Sequence, residues 1–262
     1  MRIQLNNPNN ADILAIVFQN MKLFSDNINI SFTNERMTIQ CMDSARVSIM
    51  ELYIGKDWFD VYSMSETSPN LTIGINSNIM SKILGTRGKL QDIEIECDDE
   101  PDSLSIRFSS DDKTVFDKAF IVPLIDLDVD FLEIPEIEYE AEFSLPSSTY
   151  ASLMSQLKLF GVTMDIDCSE DKIMIHSNSI DTGTMTTEIS IDDLNEFSID
   201  EGEELNLSFS LNYLYNVAQF HKIAKDIELK FKRNYPVHLI YNLGGENASL
   251  HFYIAPKIQD DD

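Results

Sequence analysis

Apolar residues recur along this chain at two different periods. From Ala11 to Phe24, Ile13, Leu14, Val17, Phe18 and Met21 fall on one side and Asp12, Gln19 and Lys22 on the other, the spacing of an amphipathic helix. Pro8, Asn9 and Asn10 supply its start. Arg2–Asn6 reads as a short strand before it. After the helix the period changes to two: Ile28–Phe32, Met37–Cys41, Val47–Ile54, Trp58–Met64 and Leu71–Ile75 are alternating runs separated by Asn, Asp, Gly and Ser, the pattern of antiparallel strands. Ser77 heads a second helix, Asn78 to Leu84, closed by Gly85. Ile93–Cys97, Ser103–Phe108 and Val115–Val122 read as further strands.

The plan then repeats. Tyr139–Leu145 is a strand, and Pro146 and Ser147 open a helix that runs through Phe160 to Gly161. Val162–Cys168, Lys172–Ser177 and Met185–Ile191 are strands, followed by Asn206–Phe209, a helix from Leu211 to about Lys225, and the strands Ile227–Phe231, Val237–Asn242 and Ser249–Ile254. Asn10 to Ser147, Met37 to Ile173 and Ser77 to Ser210 are separated by 137, 136 and 133 positions. A near-constant offset predicts a duplicated α+β domain. The expected division is 1–123, a connector at 124–138, and 139–262. The connector, Leu124 to Tyr139, alternates apolar residues with acids, has no Gly and carries Pro135; it reads as extended chain held against a surface.

Charge changes this picture. The 262 residues hold 45 acids against 19 Lys and Arg, a net charge of −26, which argues against nucleic acid as a partner. The outward helix positions, however, are nearly free of acids, with Asp12 and Asp226, near helix ends, as the main exceptions. The outward positions are Gln19, Asn20 and Lys22; Ser81, Lys82, Arg87 and Lys89; Ser152, Ser155, Gln156 and Lys158; Asn212, Asn216, Gln219, Lys222 and Lys225. A neutral-to-basic face on so acidic a chain suits loose contact with phosphates as well as it suits ordinary solvated surface.

Other chemistry is sparse. Cys41, Cys97 and Cys168 make neither a disulfide framework nor a zinc pattern. Asp126, Asp128 and Asp130 alternate without the Gly turn or the closing Glu of a calcium loop. Gly85 to Lys89 lacks the spacing of a phosphate loop. His176, His221, His238 and His251 share no catalytic or ligand spacing, and Ser44 has no nucleophile-elbow setting. No catalytic residue, metal site or cofactor is expected. MRIQLNNPNN has no signal-peptide pattern, and no apolar run approaches a membrane span.

Four segments carry a resemblance: Cys41-Met42-Asp43-Ser44-Ala45-Arg46-Val47-Ser48; Gly74-Ile75-Asn76 before Asn78-Ile79-Met80-Ser81-Lys82; Asp126-Leu127-Asp128-Val129 with Ile134-Pro135-Glu136; and Phe252-Tyr253-Ile254-Ala255-Pro256-Lys257-Ile258. In this order, almost end to end, the chain resembles the proliferating cell nuclear antigen family, the eukaryotic sliding clamps. The resemblance implies a DNA clamp fold, two like domains each with two helices on antiparallel sheets, assembled as a homotrimeric ring around double-stranded DNA. It implies a non-enzymatic processivity factor acting in the nucleus or, for a large DNA virus, at a cytoplasmic replication site. The implied partners are DNA polymerase, the clamp loader, and repair or ligation enzymes that carry a Gln-aliphatic-aromatic-aromatic peptide; no membrane is involved.

Carried over by position, Lys22 and Lys82 match channel lysines, with Arg87, Lys158 and Lys222 as further DNA-facing candidates. Ser152, Ser155, Asn212 and Gln219 stand where the family is usually basic, which implies weak direct DNA contact. The partner pocket maps to Met42, Arg46, Val47, Leu132, Ile134, Pro236, Tyr253, Ile254, Ala255 and Pro256. Arg46 replaces a histidine at its rim, and Glu133 replaces a glycine. Subunit contact maps to Val115–Val122, with Phe120 as apolar anchor, and to about Ser179–Glu188. Glu170 occupies the position of a modifiable lysine. The alternative readings are a subunit of a hetero-oligomeric, checkpoint-type clamp, and an acidic interaction module that does not encircle DNA.

Overall fold

The computed structural model describes residues 1–67, 69–99, 101–112, 114–127 and 131–257. The chain divides into two units, one of Met1–Ser44, Met50–Leu132 and Leu243–Leu250, the other of Ala45–Ile49, Glu133–Asn242 and His251 onward.

The first half of the chain runs β1 (Arg2–Leu5), α1 (Pro8–Met21), β2 (Asn27–Phe32), β3 (Arg36–Met42), β4 (Ser48–Gly55), a 3₁₀ turn at Lys56–Trp58, β5 (Val61–Ser63), β6 (Leu71–Asn76), α2 (Ser77–Gly85), β7 (Asp92–Glu96), β8 (Ser103–Ser109) and β9 (Lys118–Pro123). One antiparallel sheet has the order β5-β1-β7-β8-β9. β2 pairs on one side with β3 and on the other with β6. The second half runs β10 (Ala141–Pro146), α3 (Ser147–Leu157), β11 (Thr163–Cys168), β12 (Lys172–Ser179), β13 (Gly183–Ser190), a 3₁₀ turn at Ile191–Asp193, β14 (Glu196–Ile199), β15 (Leu205–Ser210), α4 (Leu211–Ala218), β16 (Asp226–Phe231), β17 (Val237–Asn242) and β18 (Ala248–Ile254). Here β10 lies between β14 and β16, β16 pairs with β17, and β13-β12-β11-β15 form a four-stranded antiparallel sheet.

Both units are built alike: a pair of helices laid on antiparallel strands. α1 meets β1 and β7, and α2 meets β6; α3 meets β10 and β16, and α4 meets β15. The apolar face read from the sequence of α1 is the buried one, Ile13, Leu14, Val17, Phe18 and Met21. Within each unit the helices also bond to one another. The Ser81 hydroxyl donates to the Gln19 carbonyl at 2.9 Å, and the buried Tyr150 hydroxyl donates to the Leu214 carbonyl at 3.0 Å. Tyr150 thus buries its ring while its polar tip is satisfied. Phe143, Phe209 and Phe231 form an aromatic layer beneath α3 and α4, with ring centroids 5.4 and 6.0 Å from Phe231.

Element ends depart from the sequence reading for consistent physical reasons. α1 starts earlier, because Pro8 takes the first helical position, where its missing N–H costs nothing. Asn7 caps it, accepting the Asn9 and Asn10 N–H groups. α2 is capped by Asn76, whose side chain accepts the Ile79 N–H at 3.1 Å; the Ser77 hydroxyl turns away to the Ser25 carbonyl. α1, α3 and α4 end at Met21, Leu157 and Ala218, short of Phe24, Phe160 and Lys225. Each unwinds through i to i+3 bonds, among them Phe24 N–H to Met21, Phe160 N–H to Leu157 and Ile223 N–H to Phe220. These tighter turns bring Phe220 and Ile223 inward together. The expected strand Trp58–Met64 is a 3₁₀ turn followed by the short β5, and β14 was not expected at all.

Candidate nucleic-acid and partner-binding surfaces

Among the described residues, Asp12 is the one acid within helices α1 to α4. It is paired with Arg87, whose side chain is only 3% exposed. The Arg87 guanidinium also donates to the carbonyls of Gln91 at 2.7 Å and Lys89 at 3.3 Å. This corrects the placing of Arg87 among DNA-facing candidates: the side chain is buried, and each of its three nitrogens is already bonded within the protein. It fastens α1 to the loop after α2. Ser81 likewise faces α1 rather than solvent.

Lys22 caps the C-terminus of α1 and Lys82 stands on α2, both exposed. Lys158 caps α3 and holds its ammonium 4.1 Å from the Tyr215 ring centroid, a cation–π contact that steadies the side chain across the α3–α4 pair. Lys222 is exposed in the turns beyond α4, not on the helix. Ser152, Ser155 and Asn212 are exposed; the Ser155 hydroxyl bonds back to the Ala151 carbonyl and Gln156 to the Ser152 hydroxyl. The helix surfaces are therefore mostly polar, with Ile79 exposed among them, and carry a few ammonium groups.

The connector is fastened to the first unit at several points. Leu124 N–H reaches the Asp102 carbonyl and Ile125 N–H the Gly74 carbonyl at 2.9 Å. Asn29 donates to the Leu127 carbonyl at 3.3 Å, and Gln40 grips Leu132 from both sides. Gly74 is fixed by this approach, since a Cβ there would collide with the Ile125 carbonyl. Beside these contacts lies a cavity of about 150 Å³ lined by residues that include Cys41, Met42, Leu127 and Phe131. Leu132 is 45% exposed and Met42 37%. The connector's apolar residues do not all turn inward as its alternation suggested. Asp128, Val129 and Asp130 lie outside the described residues. No metal-binding group of His, Cys, Asp or Glu occurs among the described residues.

In the second unit, the Ala255 N–H donates to the Val47 carbonyl at 2.9 Å, joining the start of β4 to the end of β18. Tyr253 is half-buried and stacks on His238, with centroids 4.3 Å apart and planes at 14°. His238 lies between the Tyr139 hydroxyl, 3.1 Å from Nδ1, and Nδ1 of His251, 2.9 Å from Nε2. Burial pushes His238 down to about 3 and His251 down to about 4, so both rings are neutral. Pro236, Ile134, Ala255 and Pro256 are partly exposed, and Arg46 is exposed at a positive φ of 58°. Ile254 must be withdrawn from the partner-binding set. It is 0% exposed, because strand alternation sends it to the core face opposite Tyr253.

Among the strands that end a sheet are β9 and β13. β9 bonds only to β8, and β13 only to β12. Phe120 leans on Phe108, with centroids 5.5 Å apart, while the apolar side chains open to solvent are its neighbour Ile121, 71% exposed, and Phe116, 84% exposed. The sequence reading missed both. Alternation places Ile121 and Phe120 on opposite faces, and from sequence the bulkier ring was the obvious choice. The strand itself starts at Lys118, not Val115. Glu170 is engaged by the Gly202 N–H at 2.8 Å.

Paired helices on antiparallel sheets, built twice from one chain, define a duplicated α+β DNA-clamp fold. Residues 4–131 match the family model for the N-terminal domain of proliferating cell nuclear antigen, and residues 133–258 that for its C-terminal domain. The proliferating cell nuclear antigen of Chaetomium thermophilum is 26% identical over 256 residues, covering 96% of this chain and 97% of the relative. The chain belongs to the proliferating cell nuclear antigen family: it is a DNA sliding clamp and processivity factor of DNA replication and repair, not an enzyme.

Proposed function

We propose that this clamp works as a homotrimer closed around duplex DNA, with helix faces toward the DNA and the connector side offered to partner proteins. The observation that carries this reading is the distribution of charge. In a chain of net charge −26, the described helices α1 to α4 hold one acid, and that acid is paired with Arg87. Enclosure then replaces affinity. Lys22, Lys82, Lys158 and Lys222 supply weak, sequence-independent phosphate contact, and the surrounding serines and amides let the DNA slide.

The unpaired edges of β9 and β13 suit head-to-tail pairing between identical chains, which closes when the rotation allows. Ile121 and Phe116 add exposed apolar surface at the first edge. Residues 124–138 act as the connector between two functional domains. Met42 and Leu132 in the first unit, and Arg46, Val47, Ile134, Pro236, Tyr253, Ala255 and Pro256 in the second, are the residues we assign to partner recognition. The ligand is a peptide carrying a glutamine, an aliphatic residue and two aromatics, presented by polymerases, the clamp loader, and repair or ligation enzymes. The site of action is the nucleus or, for a viral protein, its cytoplasmic replication site.

Light scattering on the purified chain tests the assembly. The expected mass is three times the 29.9 kDa of one chain, and Ile121→Glu is expected to shift it toward monomer. A monomer in the unaltered protein at micromolar concentration would instead favour a subunit of a hetero-oligomeric clamp.

A further inference from the structure

Leu132 lies in a stretch of the connector with no strand partner, yet both of its backbone groups are bonded. Gln40, half-buried on β3, accepts the Leu132 N–H through Oε1 at 2.7 Å and donates from Nε2 to the Leu132 carbonyl at 2.9 Å. One side-chain amide thus makes the two bonds that a neighbouring strand would otherwise make. The amide is not free to turn over. Its second Nε2 hydrogen goes to Oε1 of Glu51 on β4 at 2.7 Å. Glu51 is 5% exposed and bonds as well to Tyr53. Flipping the amide would set its oxygen against an acceptor of the buried Glu51 side chain and lose both bonds to Leu132. The contact at Ile125 and Gly74 uses different atoms and does not depend on Gln40.

We propose that Gln40, with its amide orientation fixed by Glu51, is the residue that sets the connector at Leu132 and thereby tunes the affinity of the clamp for partner peptides. Gln40 is a positioning residue: it holds the connector backbone and leaves the Leu132 side chain outward, 45% exposed. The part concerning affinity rests on the assignment of Leu132 to the partner site. The pair also explains why a buried acid is kept on β4 amid an apolar strand. A buried carboxyl contributes little net stability, but it selects one of two otherwise similar amide orientations.

The test combines amide hydrogen exchange at Leu132 with titration of a synthetic Gln-aliphatic-aromatic-aromatic peptide, on the full chain. Gln40→Ala is expected to speed exchange at Leu132 about tenfold or more and to weaken peptide binding about fivefold or more, leaving exchange at Ile125 unchanged. Glu51→Leu should reproduce both effects. Glu51→Gln, which keeps an acceptor, should restore both. Unchanged protection of Leu132 in Gln40→Ala overturns the proposal. So does lost protection with unchanged peptide affinity, provided that Leu132→Ala weakens binding. If Leu132→Ala is also without effect, the assignment of Leu132 to the partner site fails, while loss of Leu132 protection still supports the clasp.

Discussion

Arg87 ties the loop after α2 to Asp12 on α1. Arg87 follows α2 in a basic stretch with Lys82 and Lys89, and as sequence it reads as a phosphate contact. Its partner Asp12 is 75 positions away, a distance across which no local pattern operates. Arg87→Ala should therefore cost about 1–3 kcal/mol of stability through the orphaned carbonyls and carboxylate and leave DNA affinity unchanged; Lys82→Ala should do the reverse. Denaturant unfolding and a DNA-binding titration on the two variants distinguish them.

The histidines reward the opposite correction. Their spacing carries no chemistry, but β17 and β18 bring His238 and His251 into contact between Tyr139 and Tyr253. Burial, with Lys230 nearby, lowers both from 6.5, to about 3 and about 4. Because the folded state binds fewer protons than the unfolded chain, their contribution is complete above pH 6.5 and is lost as pH falls toward those lower values. Unfolding midpoints should drop between about pH 6.5 and 5, where carboxylates are still ionised. The slope should be shallower in His251→Gln.

The existence of the helices and of most strands was legible, because burial enforces their periods: the apolar residues of α1 are those in its core face. Their ends were not. Pro8 at the first helical position and the i to i+3 turns after Met21, Leu157 and Ala218 depend on which backbone groups find partners, and residue periodicity does not encode that. β14, four residues long, is too short to show a period. The connector is the element where the two sources complement each other. Sequence proposes its bounds; the structure shows what Leu124, Ile125, Leu127 and Leu132 are tied to. Gly74→Ala should force the Ile125 carbonyl away and detach the start of the connector. The expected result is faster amide exchange at Ile125 and a lower melting temperature; retention of both would mean that the strand relaxes around the added methyl. Further along, Leu132→Ala combined with Ile134→Ala should abolish partner-peptide binding with the assembly mass unchanged. Unaltered peptide affinity would show that the partner site lies elsewhere.

For the whole molecule, net charge misled because it is a sum. A net charge of −26 argues for repulsion from DNA at long range. What matters for a clamp is the surface turned toward the duplex; in the arrangement we propose that surface is the helices, which carry almost no acid. A protein held on DNA by topology needs no strong contact and is served poorly by one. The central claim is therefore one of linkage, and retention on closed DNA tests it most directly. The chain is loaded by a clamp loader onto a nicked circular plasmid, separated from free protein by gel filtration, and the plasmid is then cut once. The account predicts that the clamp stays with the circle through high-salt washing and runs off once the DNA is linear. Equal retention on circular and linear DNA, or none on either, would contradict it.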